Sequence, residues 1–251
     1  MAREKKQRNR PKKSFLYGMN SIRERLKVNP SAIRKIYIQD NFDNEELIDL
    51  IKKRNVFLKK ISEGELIRMK KADRLQGIIA EIEEYQYVED NLLLNEAMKN
   101  GFSIICLDNI NDPHNLGSIL RICACFGKMA VVIPKHNSVS VNDTVMHVAS
   151  GGENYVKVCV VDNMSRFLMR AKEKGLWVVG TVVDGAQDIT KTELPLPVCL
   201  VLGSEGKGIR AGVEKHLDMK VKVPMKGAQL SFNVAMAAAM FCYEIARQRK
   251  S

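Results

Sequence analysis

Three times in its second half the chain runs an apolar, strand-length segment straight into a polar loop that opens toward a helix. FSIICLDNI, from Phe102, leads into DPHNLGSILR at Asp112–Arg121; VCLVLG, from Val198, leads into LGSEGKGIR at Leu202–Arg210. MKVKVP, from Met219, leads into a short loop with Gly227, and Ser231 and Asn233 then stand at the mouth of a long Ala-rich helix. Strands that alternate with helices imply a mostly parallel sheet covered on both faces. Ligands of such sheets bind beyond the carboxyl ends of the strands, where all three loops lie. Asn is a preferred N-cap, and the first turn of a helix presents N–H donors to a ligand. Three such loops in one domain predict one composite site.

The α/β series around these loops begins at Gly101 and adds MAVVIP, YVKVCVV and LWVVGTVV as strands, a short helix at 144–150, and a helix in MSRFLMRAKEKG that stops at Gly175. A smaller α/β unit of residues 14–88 precedes it. There FLYGMNSIRERLKV reads as a short approach and a helix, IRKIYIQ, VFLKKI and QGIIAEIEEY as strands, and NEELIDLIKKR and SEGELIRM as helices. Residues 89–100, charged at their start and helical later, read as a linker. The first unit is then expected to have its own core, and a fragment from about Gly101 to fold, dimerise and bind its ligand alone.

Charge narrows the partners. The formal net charge is +11, and residues 1–13, MAREKKQRNRPKK, hold seven Lys or Arg against one Glu. Such a block repels itself and cannot build a core, so it is expected to be disordered and to contact a polyanion, which releases counterions on binding. The bland alternative is a solubilising tail. No apolar run reaches the roughly 20 residues of a membrane helix, and the basic start has no apolar stretch behind it, unlike a secretory signal. The six cysteines form no C-x-x-C pair and the four histidines are scattered, which predicts a reducing, cytoplasmic setting and no structural metal.

Nucleotide motifs compete poorly. Gly203-Ser-Glu-Gly206-Lys-Gly208 fits neither G-x-G-x-x-G nor G-x-x-x-x-G-K-[ST]. A dehydrogenase would carry its glycine fingerprint after the first strand of its domain, where this chain has Asp108-Asn109-Ile110-Asn111. What the three loops do resemble is the SpoU-type branch of the SPOUT superfamily, S-adenosylmethionine-dependent RNA 2′-O-methyltransferases. The resemblance rests on Asn115-x-Gly117-x-x-x-Arg121, on Leu202-Gly203-Ser204-Glu205-Gly206-x-Gly208, and on Pro224-Met225, Gly227 and Ser231-Phe232-Asn233-Val234 before the Ala-rich helix. It spans about 150 residues in matching order and spacing. The domain order is similar to the bacterial large-subunit ribosomal RNA guanosine-2′-O-methyltransferases, whose small ribosomal-protein-like domain begins much as YGMNSIRERL does.

The resemblance implies a trefoil knot in the C-terminal domain, a homodimer through that domain, S-adenosylmethionine as cofactor, and RNA, with ribosomal RNA first, as partner. It assigns Arg121, Asn115, Glu205, Ser231 and Asn233 to catalysis, and Gly203, Val223, Met225, Leu230 and Phe232 to cofactor binding. Phe232 departs from the family's usual Leu and predicts a tighter adenine pocket. The residues also admit plainer roles: an Arg121–Glu205 surface ion pair, a helix N-terminal acid at Glu205, and ordinary N-caps at Asn115, Ser231 and Asn233. Ribosomal RNA leads, transfer RNA follows within the class, and a non-catalytic RNA-binding or assembly factor of the same fold is the alternative from another class.

Overall fold

The computed structural model describes residues 14–72, 75–228 and 230–249. The basic segment 1–13, read from the sequence as an RNA-contacting tail, lies outside the described residues. The first unit is a four-stranded sheet with three helices: β1 (Ser14–Tyr17), α1 (Met19–Val28), β2 (Ile33–Gln39), α2 (Glu45–Lys53), β3 (Leu58–Ile61), α3 (Glu63–Met69) and β4 (Ile78–Ile82). The strand order is β1-β4-β2-β3, with β4 antiparallel to both neighbours and β2 parallel to β3. Local chemistry sets the helix starts. The Asn44 side chain accepts from Leu47 N–H at α2, and Ser62 and Glu65 form a reciprocal capping box at α3. β1 was not legible as a strand: four residues are too short to show alternation, and its pairing with β4 decides it.

Residues 89–100 are more than a linker. Asp90–Asn100 is a helix, α4, closed by Gly101 in a left-handed conformation with φ 67°. It buries Leu93, Leu94 and Ala97 against the second sheet, and Asp90 pairs with Arg170.

That second sheet has seven strands, β5 (Ser103–Asp108), β6 (Met129–Pro134), β7 (Lys157–Val161), β8 (Trp177–Thr181), β9 (Gln187–Asp188), β10 (Val198–Gly203) and β11 (Met219–Lys222). Their order is β7-β6-β5-β10-β8-β11-β9, and every neighbouring pair is parallel. Every residue of β5 and β6 is buried, as a sheet covered on both faces requires. The helices are α5 (Pro113–Phe126), α6 (Asp143–Ala149), α7 (Met164–Glu173), α8 (Ala211–Glu214) and α9 (Val234–Gln248). α5, α6 and α9 pack on one face, α4 and α7 on the other. The chain moves outward from β5 through β6 to β7, then returns to set β10 on the other side of β5. The carboxyl ends of β5 and β10 therefore flank a topological switch point.

The first unit keeps a small apolar cluster of its own, Tyr17, Ile61, Leu66, Leu75 and Ile79, and shares a larger one with the second unit. Leu16, Ile22, Leu26 and Ile36 belong to one contiguous apolar cluster with Ile105, Leu116 and Val145 of the second unit. At the joint, Arg25 and Glu153 form a 3.2 Å ion pair with both residues buried, 6% and 3% exposed. The Tyr17 ring stacks on His147 at 4.3 Å, Phe15 N–H donates to Asp143 Oδ1, and Tyr85 Oη–H donates to the Val156 carbonyl. The expectation of a first-unit core thus holds on the face toward α3, while the other face is continuous with the second unit. Five of the six cysteines are buried and Cys125 is exposed, all as free thiols. Among the described residues, no helix is long and apolar enough to cross a membrane.

Candidate active site

The loop after β5 starts at Asp108, whose side chain is fully buried, and passes through Asn109 at φ 66°. Asp112 caps α5, accepting from His114 N–H at 2.8 Å, with Pro113 in the first helical position. Asn115 is therefore not the cap. It sits in the first turn with its side chain free to point across the switch point.

The loop after β10 folds back on itself. Gly208 N–H donates to the Ser204 carbonyl at 2.8 Å. A Cβ on Gly203 would stand 2.2 Å from the Gly208 carbonyl carbon, so only glycine lets the loop close. Arg210 then ties the loop to β5. Its backbone N–H donates to Asp108 Oδ2 at 2.8 Å, and its Nε and Nη2 donate to Oδ1 at 2.8 and 2.5 Å. A half-exposed guanidinium thus neutralises a fully buried carboxylate, an arrangement that is costly to break from one side.

The third loop ends at Asn233, whose side-chain oxygen accepts from Ala235 N–H and caps α9. All three loops meet at Glu205. Its Oε1 accepts from Asn115 Nδ2, Asn233 Nδ2 and Val234 N–H, each at 3.2 Å, while Asn233 Nδ2 also donates to Asn115 Oδ1 at 2.9 Å. Val234 is the first residue of α9, so Glu205 is a helix N-terminal acid, but for a helix almost thirty residues away in sequence. It makes no ion pair with Arg121.

Beside this knot of hydrogen bonds opens a cleft of about 260 Å³. Gly203, Glu205, Val223, Met225, Ser231 and Phe232 line it, with apolar walls that include Leu202, Ile209 and Phe241. The volume is slightly below the usual range for small-molecule sites. Among the described residues of 223–232, the one backbone hydrogen bond outside the strands is Leu230 N–H to the Ala228 carbonyl. The main chain there keeps donors and acceptors for a ligand. Thr181, the last residue of β8, and Val182 and Val183 after it close the far side of the cleft; the sequence reading missed this fourth strand end.

Two expected residues stand apart. Leu230 is 73% exposed and is not among the residues lining the cleft. Arg121 is exposed on α5, with its backbone packed against Gly152, and its side chain makes no hydrogen bond or ion pair with a described residue. Asp108 and Arg210 were missed as a pair. Their one sequence signal was an acid ending a buried strand and an arginine ending a glycine-rich loop. Among the described residues, no three His, Cys, Asp or Glu side chains gather as metal ligands would.

Residues 15–88 match the RNA 2′-O ribose methyltransferase substrate binding family. A Coxiella burnetii protein named 23S rRNA (guanosine-2′-O-)-methyltransferase RlmB is 33% identical over 241 residues, covering 94% of this chain and 96% of that protein. A Bacillus subtilis protein provisionally named a TrmH family tRNA/rRNA methyltransferase is 34% identical over 241 residues, with the same coverage. Among solved structures, the SpoU methyltransferase AviRb from Streptomyces viridochromogenes in complex with AdoMet superposes with a TM-score of 0.79 at 19% identity, over 97% of this chain and 93% of that one. Residues 103–243 carry all three loops and match the SpoU rRNA Methylase family, and to that family the chain belongs.

Proposed function

We propose that this chain transfers the methyl group of S-adenosylmethionine to the 2′-hydroxyl of a guanosine in 23S ribosomal RNA. The observation that carries the reading is the Asn115–Glu205–Asn233 network at the edge of the cleft, where three strand-end loops lock into one arrangement. The names of the RlmB relatives, matched over nearly the whole of both chains, support guanosine and ribosomal RNA. A transfer-RNA substrate is the second reading, supported by the name of the Bacillus relative.

The cleft suits the cofactor. Its walls are apolar at Leu202, Val223, Ile209 and Phe241, and the irregular main chain of 223–228 and 230–232 offers amide groups to the edge of an adenine. When bound, the cofactor would supply an activated methyl for the ribose oxygen, leaving as a neutral thioether, while the hydroxyl proton would pass to solvent water.

The protein's part is to align the hydroxyl with the methyl and to stabilise the developing alkoxide. Asn115 and Asn233, each held by Glu205, are positioned at the cleft edge to orient the ribose. Among the described residues, Arg121 has no partner to compete for its guanidinium. It holds an RNA phosphate and the alkoxide rather than acting as a base, since a guanidinium stays protonated. Gly203, Val223, Met225 and Phe232 would hold the cofactor, with Ser231 lining the same cleft and Leu230 assigned to it by the family resemblance alone. No metal takes part.

The reading includes the family's trefoil knot and a homodimer in the cytoplasm. Support for the dimer comes from α5 and α9, which leave Cys125, Met236 and Tyr243 exposed on neighbouring helices, with the Phe126 and Tyr243 rings 6.2 Å apart. A two-fold contact would bury these side chains against their own copies. It also assigns 14–88, with the 1–13 tail, to RNA binding and 101–251 to chemistry. Calorimetry with S-adenosylmethionine in the presence of a chelator tests the cofactor assignment. Binding without RNA or metal is expected, and no binding would remove it. Parallel methylation of 23S and transfer RNA separates the two substrate readings.

A further inference from the structure

The first sheet carries a row of side chains that the chemistry above does not use. Its inner face buries Ile36 and Ile38, so Lys35 and Tyr37 point to the other face. Pairing places Tyr37 beside Lys59, and Ile36 N–H donates to the Phe57 carbonyl, which brings Phe57 alongside Lys35. On the other flank Lys35 pairs with Glu81, and Glu81 with Phe15. One line across the sheet thus reads Phe15, Glu81, Lys35, Phe57, with Tyr37 and Lys59 in the next.

Helix α3 covers one end of this face, where Leu66 packs with Tyr17, Ile61 and Ile79, and Phe15 and Tyr37 lie half-buried against that cluster. Phe57 stays 60% exposed at the β3 edge, and Lys59 is exposed beside it. Lys35 Nζ lies 4.5 Å from the Phe57 ring centroid and 5.1 Å from that of Tyr37, so one cation bridges the exposed ring and the half-buried one behind it. Phe57 also lies in KKRNVFLKK, residues 52–60, which has five Lys or Arg and no acid. A large ring exposed among cations does nothing for the core. It matches unpaired nucleotides, whose bases stack on aromatic faces while basic side chains follow the phosphates. The row also starts at the right place. Phe15 is tied through its N–H to Asp143, at the start of α6, which follows the carboxyl end of β6 and so shares the sheet edge that bears the cleft.

We infer that this face is a stacking platform for unpaired bases of the RNA substrate, with Phe57 as the leading ring and Lys35, Lys59 and the 52–60 run as phosphate contacts. The inference rests on the RNA reading above and adds the surface and the single-stranded form that it selects.

The test is direct binding by the full chain of a labelled single-stranded RNA of about ten nucleotides, beside a duplex of the same sequence. The single strand is expected to bind more tightly. Phe57→Ala should weaken it by about tenfold or more, and Phe57→Tyr should restore it, because stacking needs the ring and not the residue. Lys35→Ala should weaken binding and reduce the salt slope by roughly one phosphate. Unchanged thermal midpoints and cofactor affinity serve as the folding control. Wild-type affinity in Phe57→Ala, or equal binding of duplex and single strand, would overturn the platform. If the wild-type chain instead methylates no RNA at all, the proposed function falls, and the two failures are read separately from one preparation.

Discussion

Glu205→Ala tests the idea that one carboxylate organises three loops. The substitution removes a single acceptor atom from three donors, Asn115 Nδ2, Asn233 Nδ2 and Val234 N–H. The two amides are exposed and return to water at little cost. Val234 is buried, and its N–H, unpaired at the start of α9, costs about 1–2 kcal/mol. Loss of a negative charge at that helix end adds about 0.5 kcal/mol. A total near 2 kcal/mol corresponds to a fall of roughly 4–8 °C in thermal midpoint for a chain of this size. Glu205→Gln keeps an acceptor but not the charge, and is expected to lose about half as much. The functional loss should be larger than the structural one. Asn115 and Asn233 lose their common anchor, and misplacement by about 1 Å can cost about a hundredfold in rate. Scanning calorimetry and single-turnover methyl transfer on the two variants measure both. An Ala variant with the wild-type midpoint and wild-type turnover would refute the organising role.

Three further outcomes are expected. Arg121→Ala should abolish methylation with cofactor affinity changed less than a few-fold, and Arg121→Lys should fail as well for want of the planar fork; turnover at the wild-type rate in either would reduce Arg121 to a surface charge. A fragment from Gly101 should fold poorly, because it loses Leu93 and Leu94 of α4, roughly 3–6 kcal/mol of burial, and uncovers Glu153, whereas a fragment from Glu89 carrying Glu153→Gln should give a cooperative unfolding transition; equal stability of the two would contradict the packing of α4. Burial pushes the Glu153 carboxyl above its ordinary value of 4.5, with Arg25 opposing. The folded state therefore binds the proton more tightly than the unfolded one, and this group's contribution to stability increases as pH falls through the raised value toward 4.5. Wild type should gain stability relative to Glu153→Gln over that window, and a difference independent of pH would show that the group does not titrate there.

What the sequence made legible follows from where the controlling forces are local. Continuous apolar runs such as FSIICLDNI and VCLVLG announce strands buried on both faces, and Asn233 before an Ala-rich stretch announces a capped helix. Asn115 was open to the same cap reading, although Asp112-Pro113 three residues earlier carries the stronger start signal, and the structure puts the cap there. The rest depends on partners far apart in the chain. Asp108 and Arg210 are 102 residues apart, and Arg25 and Glu153 are 128 apart. Arg25 sits in a helix turn that reads as solvent-facing until the second unit covers it. α4 escaped because its charged start looks like a linker, and only the sheet it covers reveals which of its residues are core. Gly203, Val223, Met225 and Phe232 line one cleft, whereas Leu230 stands outside it, in a loop with little regular hydrogen bonding.

The most direct measurement is transfer of a labelled methyl group from S-adenosylmethionine to ribosomal RNA by the purified chain, followed by digestion to nucleosides. The account predicts label in 2′-O-methylguanosine from 23S RNA, and none when Arg121 is replaced by Ala. Label on a base, label on another ribose, or no label in any RNA would contradict it.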